Sequence, residues 1–171
     1  MYYSSSQIAK AANRVVRECG TRDPHLIVKR LGIELITCDF NEQKGAYKVI
    51  LRRRFIFLNK NLSPLMERIV LLHELGHDAL HRYEATHDSF HEFNLFDMQN
   101  NRMEYEANMF AAELSLPDDE FLKYVIMGYD VSAIASAMNS DINLVALKAA
   151  RLNSLGYNFN NQEYKSDYLR K

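Results

Sequence analysis

The stretch LLHELGHDAL, residues 71–80, decides the fold because it combines a helical pattern with polar side chains at a fixed spacing. Residues four apart on a helix project from nearly the same face, so His73 and His77 can direct imidazole nitrogens at one point. Glu74 lies beside the first histidine. Gly76 stands mid-helix, where glycine costs about 1 kcal/mol relative to alanine. A plain amphipathic helix gives no reason for that glycine, so the stretch predicts a functional site on this helix.

The helix that carries this stretch is predicted from its first turn. Ser63 is a suitable N-cap, Pro64 fits the first helical position, and Glu67 is placed where the helix dipole favours a carboxylate. Along the same helix, apolar residues recur with a period near 3.6, as expected of a helix with one face on a hydrophobic core. These residues are Leu65, Ile69, Leu72, Leu75 or Gly76, and Ala79.

The H-E-x-x-H spacing is the signature of zinc-dependent hydrolases. His73 and His77 would supply two of the ligands that zinc binds at about 2.1 Å. Glu74 is placed to reach a water on the metal rather than the metal, as a general base. Because the pattern fixes only three residue types and also arises by chance, the prediction depends on a third ligand.

A third histidine ligand is not expected at either of the two positions where one could lie. Some zinc peptidases have a third histidine six residues after the second, but that position is Tyr83. His81 lies one turn beyond His77, and three histidines on one straight helix diverge too far to share a tetrahedral ion. His81 is therefore predicted to lie at the rim or behind the ligands. The remaining source is a carboxylate on the next predicted helix, RMEYEANMFAAELSL, residues 102–116.

Two glutamates on that helix, Glu104 and Glu106, compete for the role because they lie about 200° apart around the axis. Ala107 and Ala111 share the face of Glu104, and such small side chains let two helices approach closely. Asn108 lies one turn beyond Glu104, where it can hydrogen-bond a ligating histidine and fix its tautomer. Glu104 is therefore favoured as the ligand, and Glu106 is predicted to be solvated.

The segments before the helix predict two helices and then a small sheet. IELITCDF, residues 33–40, alternates apolar and polar residues, and GAYKVILRRRFIFLN, residues 45–59, holds two apolar runs joined by arginines, typical of a β-hairpin. The predicted fold is α+β. About three antiparallel strands pack on the H-E-x-x-H helix and on the second ligand-bearing helix, and the C-terminal part is helical.

Composition limits the class of protein. The 171 residues are 47% hydrophobic and carry a formal net charge of -1, which predicts one globular unit and no basic field of a nucleic-acid binder. Two lone cysteines, Cys19 and Cys38, favour a reducing compartment. The sequence has neither a secretory pattern at its start nor an apolar run of membrane-spanning length. The expected location is the cytoplasm.

Three regions are expected: a core over residues 1–117, a helical part over 118–156, and a polar tail over 157–171. Residues 87–101 are expected to form a loop or lid. VSAIASAMNSDINLVALKAARLNSLG, residues 131–156, predicts a helix-turn-helix that could bind DNA. Its second helix offers only Lys148 and Arg151 as basic side chains, whereas a DNA recognition helix needs more polar side chains that can reach the bases. A helical hairpin that packs on the core or grips a partner is favoured.

The motifs HELGHDALH, residues 73–81, and EYEANMFAAELSLP, residues 104–117, closely resemble the ImmA/IrrE family of bacterial and phage metallopeptidases. KGAYKVI and FIFLNKNLS, at 44–50 and 55–63, resemble the strands that precede that family's active-site helix. The resemblance covers roughly residues 32–117. It implies a zincin-like, gluzincin-type peptidase core that binds one Zn²⁺ through His73, His77 and Glu104, with Glu74 as catalytic base.

The resemblance also implies a regulatory role as an anti-repressor of a phage or mobile element. The substrate would be a helix-turn-helix transcriptional repressor encoded nearby, and neither membrane nor direct nucleic-acid binding is expected. One alternative is a metal-binding adaptor that holds the repressor without cutting it. The other is a DNA-binding regulator that acts through the C-terminal helices.

Two further features of a peptidase are expected. A second donor often stabilises the oxyanion of the reacting carbonyl, and the candidates here are Tyr83, His81, Tyr105, His87 and His91. An extended substrate can pair with an exposed strand edge. The strand through Phe55 and Phe57, just before the motif helix, is expected to offer that edge.

Overall fold

The computed structural model describes residues 2–87 and 102–157. It confirms the predicted α+β class and the small three-stranded sheet. Among the described residues, no helix is both long and apolar enough to cross a membrane. The described elements are, in chain order, α1 (Ser5–Cys19), α2 (Pro24–Leu31), β1 (Glu34–Cys38), β2 (Gly45–Ile50), β3 (Arg53–Asn59), α3 (Pro64–Leu80), α4 (Glu84–His87), α5 (Arg102–Ser115), α6 (Asp118–Ile126), α7 (Val131–Ala137) and α8 (Ile142–Ser154).

Helix α3 is the predicted motif helix, and it begins as expected. The Ser63 side chain accepts a hydrogen bond from the backbone N–H of Met66, and Pro64 occupies the first position. Every residue from Ile69 to Asp78 is buried, because α1, α2, α5, β2 and β3 all pack against this helix. Charged side chains within that range are therefore removed from water and must find partners inside the protein.

The sheet is mixed, so the prediction of an antiparallel sheet was wrong for β1. The strand order is β1-β3-β2, with β2 antiparallel and β1 parallel to β3. Cys38 at the end of β1 pairs with Asn59, and Gly45 at the start of β2 pairs with Leu58. The loop from β1 to β2 therefore crosses over the end of β3. Local sequence pattern locates each strand but does not determine the side on which a connection crosses.

The hairpin between β2 and β3 is present as predicted. Leu51 and Arg52 form its turn with φ values of 49° and 65°. These left-handed values match the twist of two strands joined by a two-residue turn. Arg54 points inward, and its guanidinium lies 3.1 Å from the buried Asp78 carboxylate. This ion pair holds the hairpin against α3.

Helix α5 lies at the centre of the molecule, in contact with α1, α3 and α8. Its residues from Glu106 to Ser115 are all buried. The approach to α3 is close at Gly76, where a Cβ atom would lie 2.9 Å from both the Cα and the carbonyl oxygen of Ala107. Only glycine fits at this position without moving one of the two backbones, which gives the mid-helix glycine its purpose.

The C-terminal helices α7 and α8 form the predicted helix-turn-helix order, with Asp141 as the N-cap of α8. Helix α8 packs against α5. The Lys148 ammonium is 1% exposed, lies 3.0 Å from a Glu113 carboxylate oxygen and also contacts Asp118. Arg151 lies 3.2 Å from Asp118. Both basic side chains of α8 are thus used inside the fold.

Candidate metal centre

Three buried side chains from α3 and α5 meet at one point. The Nε2 atoms of His73 and His77 are 3.0 Å apart. The Glu104 carboxylate reaches both histidines, with one oxygen 3.0 Å from His73 Nε2 and the other 3.3 Å from His77 Nε2. One potential ligand atom from each residue lies within 4.8 Å of the others. The structure therefore brings together the three residues that the sequence suggested.

Asn108 holds His73 from behind. Its side-chain oxygen lies 2.8 Å from His73 Nδ1, and both residues are buried. With this amide orientation, His73 donates its Nδ1–H to the asparagine oxygen, which leaves a lone pair on Nε2. The predicted contact between Asn108 and a candidate ligand is therefore present, and it favours the tautomer that can bind a metal.

The polar atoms at this point fit a cation. Within the described part of the chain, neither Glu104 carboxylate oxygen makes a hydrogen bond, although each lies close to an imidazole nitrogen. A Glu74 oxygen is buried without a partner among the same residues. Lone pairs of His73, His77 and Glu104 thus converge in a buried space. Two imidazole nitrogens and one carboxylate form a donor set that zinc accepts.

The pKa values of the three side chains reflect this crowding. Burial would raise the pKa of Glu104, but the adjacent His73 and His77 imidazoles lower it to about 2. Burial would lower the pKa of His73, but contact with Glu104 raises it. Burial lowers the pKa of His77 to about 4, against the pull of Glu104. The two neighbouring imidazoles therefore favour the ionised form of the buried Glu104 carboxylate.

Glu74 lies beside this group and is only 1% exposed. Burial raises its pKa to about 7; the nearby His73 charge opposes the shift, and the Glu104 charge adds to it. The start of β2 packs directly on this side chain, because a Cβ on Gly45 would lie 2.9 Å from Glu74 Oε1 and 2.4 Å from Val70. A carboxyl group that titrates near neutrality suits the transfer of protons.

In the metal-free protein, Glu74→Gln is expected to raise the free energy of unfolding at pH 8 by about 2 to 3 kcal/mol. The folded-state pKa of about 7 lies above the ordinary value of 4.5, so between these values only the folded chain keeps the proton. The contribution of Glu74 to wild-type stability therefore falls as pH rises from about 4.5 to 7, whereas glutamine cannot ionise. Urea unfolding in a chelator would measure the difference, which should vanish near pH 4. Equal stability at pH 8 would contradict the raised pKa.

Glu106 was predicted to be solvated, and this prediction was wrong. Its side chain is buried because α5 is covered on all sides rather than on one face. One carboxylate oxygen lies 3.1 Å from His81 Nε2, and His81 Nδ1 lies 3.1 Å from His77 Nδ1. His81 thus lies behind a candidate ligand, as one of the predicted options stated. The four-residue spacing from His77 indicated in the sequence that His81 lies near that ligand, whereas nothing in the local sequence indicated that Glu106 is buried against His81.

The remaining candidates for an oxyanion donor stay predictions. Tyr83 follows the end of α3 and is 73% exposed. Tyr105 is partly buried, with the Arg102 guanidinium 5.6 Å from its ring centre. His91 and the side chain of His87 lie outside the described residues, as do most of the expected loop over 87–101 and nearly all of the expected tail over 157–171.

The predicted substrate edge at Phe55 and Phe57 was wrong. These residues belong to β3, which is the middle strand and pairs with β1 on one side and β2 on the other. Its backbone groups are therefore occupied in the sheet. The strand whose start lies beside Glu74 is β2, an outer strand of the described sheet.

Comparison with known proteins places this site in a family. Residues 28–147 match the model of the IrrE N-terminal-like domain, peptidase family M78. Immunity region protein 2 of Bacillus phage phi105, itself uncharacterised, is 31% identical over 142 residues, which cover 82% of this chain and 88% of that protein. The metallopeptidase ImmA of Bacillus subtilis (strain 168) is 27% identical over 170 residues, 96% of this chain and 95% of that one.

A solved structure shares the fold. The Mycobacterium tuberculosis transcriptional regulator superposes with a TM-score of 0.57 at 18% identity, over 87% of this chain. The chain spans about half of that protein, 48% of its length. The fold, the buried histidine–glutamate group and the matches define the class of protein, which is a metallopeptidase. The chain belongs to the ImmA/IrrE family, as its motifs suggested.

Proposed function

We propose that this protein is a zinc-dependent endopeptidase that regulates a phage or mobile element by cleaving a helix-turn-helix repressor. The convergence of three metal-ligand atoms beside a buried glutamate carries the proposal. His73, His77 and Glu104 would hold one zinc ion. When bound, zinc supplies Lewis-acid chemistry that polarises a carbonyl and makes water more acidic.

Glu74 would move the proton in this reaction. As a base it takes a proton from the attacking water onto a carboxylate oxygen, and it then gives that proton to the leaving amine nitrogen. Its burial supports the role, because a carboxylate withdrawn from water holds a proton more readily than an exposed one. Gly45 supports it also, since the strand packs on Glu74 and limits where its oxygens can point.

A role in phage immunity is supported by the relatives that this chain resembles. One is named as an immunity region protein of a phage, and another as the metallopeptidase ImmA. A protease of this kind would act on one regulatory protein rather than on peptides in general. Such a role belongs in the cytoplasm, where a repressor meets its DNA.

The DNA-binding alternative receives no support from α8. Phosphate contacts need exposed lysine or arginine side chains, but Lys148 and Arg151 are paired with Glu113 and Asp118 in the fold. The adaptor alternative keeps the same metal ligands. Only cleavage of the repressor separates it from the peptidase.

Metal content tests the site directly. The purified protein is expected to hold one zinc per chain, and Glu104→Gln is expected to lose most of it, because the third ligand loses its charge. The matched control is Glu113→Gln, a buried glutamate further along α5 that pairs with Lys148 instead of the histidines. Elemental analysis after dialysis gives the stoichiometry. Zinc retained by Glu104→Gln at the wild-type level would contradict the assigned ligand.

Cleavage tests the function. The proposed substrate, a helix-turn-helix repressor, is incubated with the zinc-loaded protein, and its fragments are identified by mass spectrometry. The expected result is a discrete cut that a chelator prevents. An intact repressor that still binds the zinc-loaded protein would support the adaptor and contradict the peptidase.

A further inference from the structure

A chain of buried polar contacts leads from His77 away from the candidate metal centre. His77 Nδ1 lies 3.1 Å from His81 Nδ1, and His81 Nε2 lies 3.1 Å from one oxygen of Glu106. The other Glu106 oxygen accepts hydrogen bonds from the backbone N–H of Tyr3 at 2.9 Å and from Arg102 Nε at 3.0 Å. His77, His81 and Glu106 are all at most 4% exposed.

The hydrogen bonds in this chain of contacts all point the same way, from His77 toward Glu106, because the Glu106 carboxylate can only accept hydrogen bonds. An ionised carboxylate offers no proton, so His81 must carry its proton on Nε2 to meet Glu106. The Nδ1 atom of His81 is then a bare acceptor. His77 must therefore donate from its own Nδ1, which leaves the lone pair of His77 Nε2 directed at His73 and Glu104.

A competing arrangement exists at the other end. Glu104 lies 3.3 Å from His77 Nε2 and would draw a proton to that atom if nothing opposed it. The proton on His77 would then block the nitrogen that faces the candidate metal position. In that case His81 would turn its own lone pair toward the Glu106 carboxylate at 3.1 Å, which is repulsive. Two carboxylates therefore compete for the tautomer of His77.

We propose that Glu106 is a positioning residue that acts through His81 to keep His77 in the tautomer able to bind a metal. The inference rests on the proposed metal-binding function of His77. Asn108 performs the same task for His73 by a direct contact. Each candidate histidine ligand thus has a residue on α5 that fixes the proton on its Nδ1 atom. For His73 this residue is the neutral Asn108, and for His77 it is the charged Glu106, acting through His81.

Glu106→Gln tests the direction of this chain. The glutamine oxygen should stay with its two donors, Tyr3 N–H and Arg102, which turns the amide N–H toward His81 Nε2. His81 then protonates Nδ1, and His77 is driven to the Nε2–H tautomer. Zinc affinity, measured by competition with a chromogenic chelator, is expected to fall about 10- to 100-fold, the usual effect of losing an outer partner of a ligand.

A second variant separates positioning from anchoring of the N-terminal segment. His81→Leu leaves Glu106 with Tyr3 and Arg102 but removes the link to His77. It is expected to weaken zinc binding by a similar factor. The matched control is again Glu113→Gln, which neutralises a buried carboxylate on the same helix away from the histidines.

Imidazole ¹H–¹⁵N correlation spectra at pH 7.5 provide a readout that does not depend on metal. In the metal-free wild type, His77 is expected to carry its proton on Nδ1, and in Glu106→Gln on Nε2. An Nε2–H tautomer of His77 in the wild type would overturn the proposal. It would also be overturned if both variants bound zinc within about threefold of wild type, or if Glu113→Gln weakened binding equally. A wild type that takes up no zinc would refute the proposed function instead, and the tautomer would still decide the positioning role.

Discussion

Glu74→Gln is expected to keep its zinc and to cleave the repressor about 10² to 10⁴ times more slowly than wild type, the usual contribution of a general base. Glutamine preserves the shape of the buried side chain but cannot accept the proton of the attacking water. The three candidate ligands do not depend on Glu74, so elemental analysis should still find one zinc per chain. Cleavage rates are measured with the repressor in excess.

The control for this variant is Glu67→Gln, which changes a partly exposed glutamate in the first turn of the same helix, where it lies 3.2 Å from His25. It should cleave at the wild-type rate. Cleavage by Glu74→Gln at that rate would remove Glu74 from the mechanism. A loss of zinc in Glu74→Gln would show instead that Glu74 supports the metal site, and the assignment of a base would fail.

Gly76→Val is expected to lower zinc affinity by at least about 100-fold while leaving most of the helix content in place. The reason is the close contact of α3 with α5, where a Cβ would meet the Ala107 backbone at 2.9 Å. A backbone cannot turn aside as a long side chain can, so the two helices must separate. Glu104 is one turn before Ala107 and would move away from the histidines. Valine itself costs a helix less than glycine does.

Competition with a chelator measures the zinc affinity of this variant, and far-ultraviolet circular dichroism measures its helix content. Gly76→Ala should show a smaller loss because it adds only the Cβ. Leu65→Val, which places a β-branched residue in the exposed first turn of α3, should bind zinc normally. Unchanged zinc affinity in Gly76→Val would refute the idea that glycine permits the helices to close on an ion.

Much of the candidate site could be predicted because it depends on local geometry. The spacing of His73 and His77 on one helix fixes their relation before any tertiary contact forms. The small residues beside Glu104 indicated which face of α5 approaches α3. Asn108 follows from Glu104 by one helical turn, and the structure places it against His73 as expected.

The predictions that failed concern contacts between segments distant in the chain. The burial of Glu106 depends on Tyr3, which precedes α1, and on His81 at the end of α3, and nothing in the sequence near Glu106 indicates those neighbours. The direction of β1 and the central place of Phe55 and Phe57 depend on how one loop crosses the sheet. Periodicity identifies a helix or a strand, but it does not show which distant segments of the chain pack against it.

The central position of α5 makes the candidate metal site depend on both ends of the described chain. The two histidines come from one helix and meet as soon as that helix forms. Glu104 is held by a helix that α1 packs on from the start of the chain and α8 from near its end. A nascent or truncated chain that lacks α8 therefore offers zinc two histidines and a loosely held carboxylate. We therefore expect a chain truncated before α8 to bind zinc more weakly than the full chain, because the helix that carries Glu104 loses one of its packing partners.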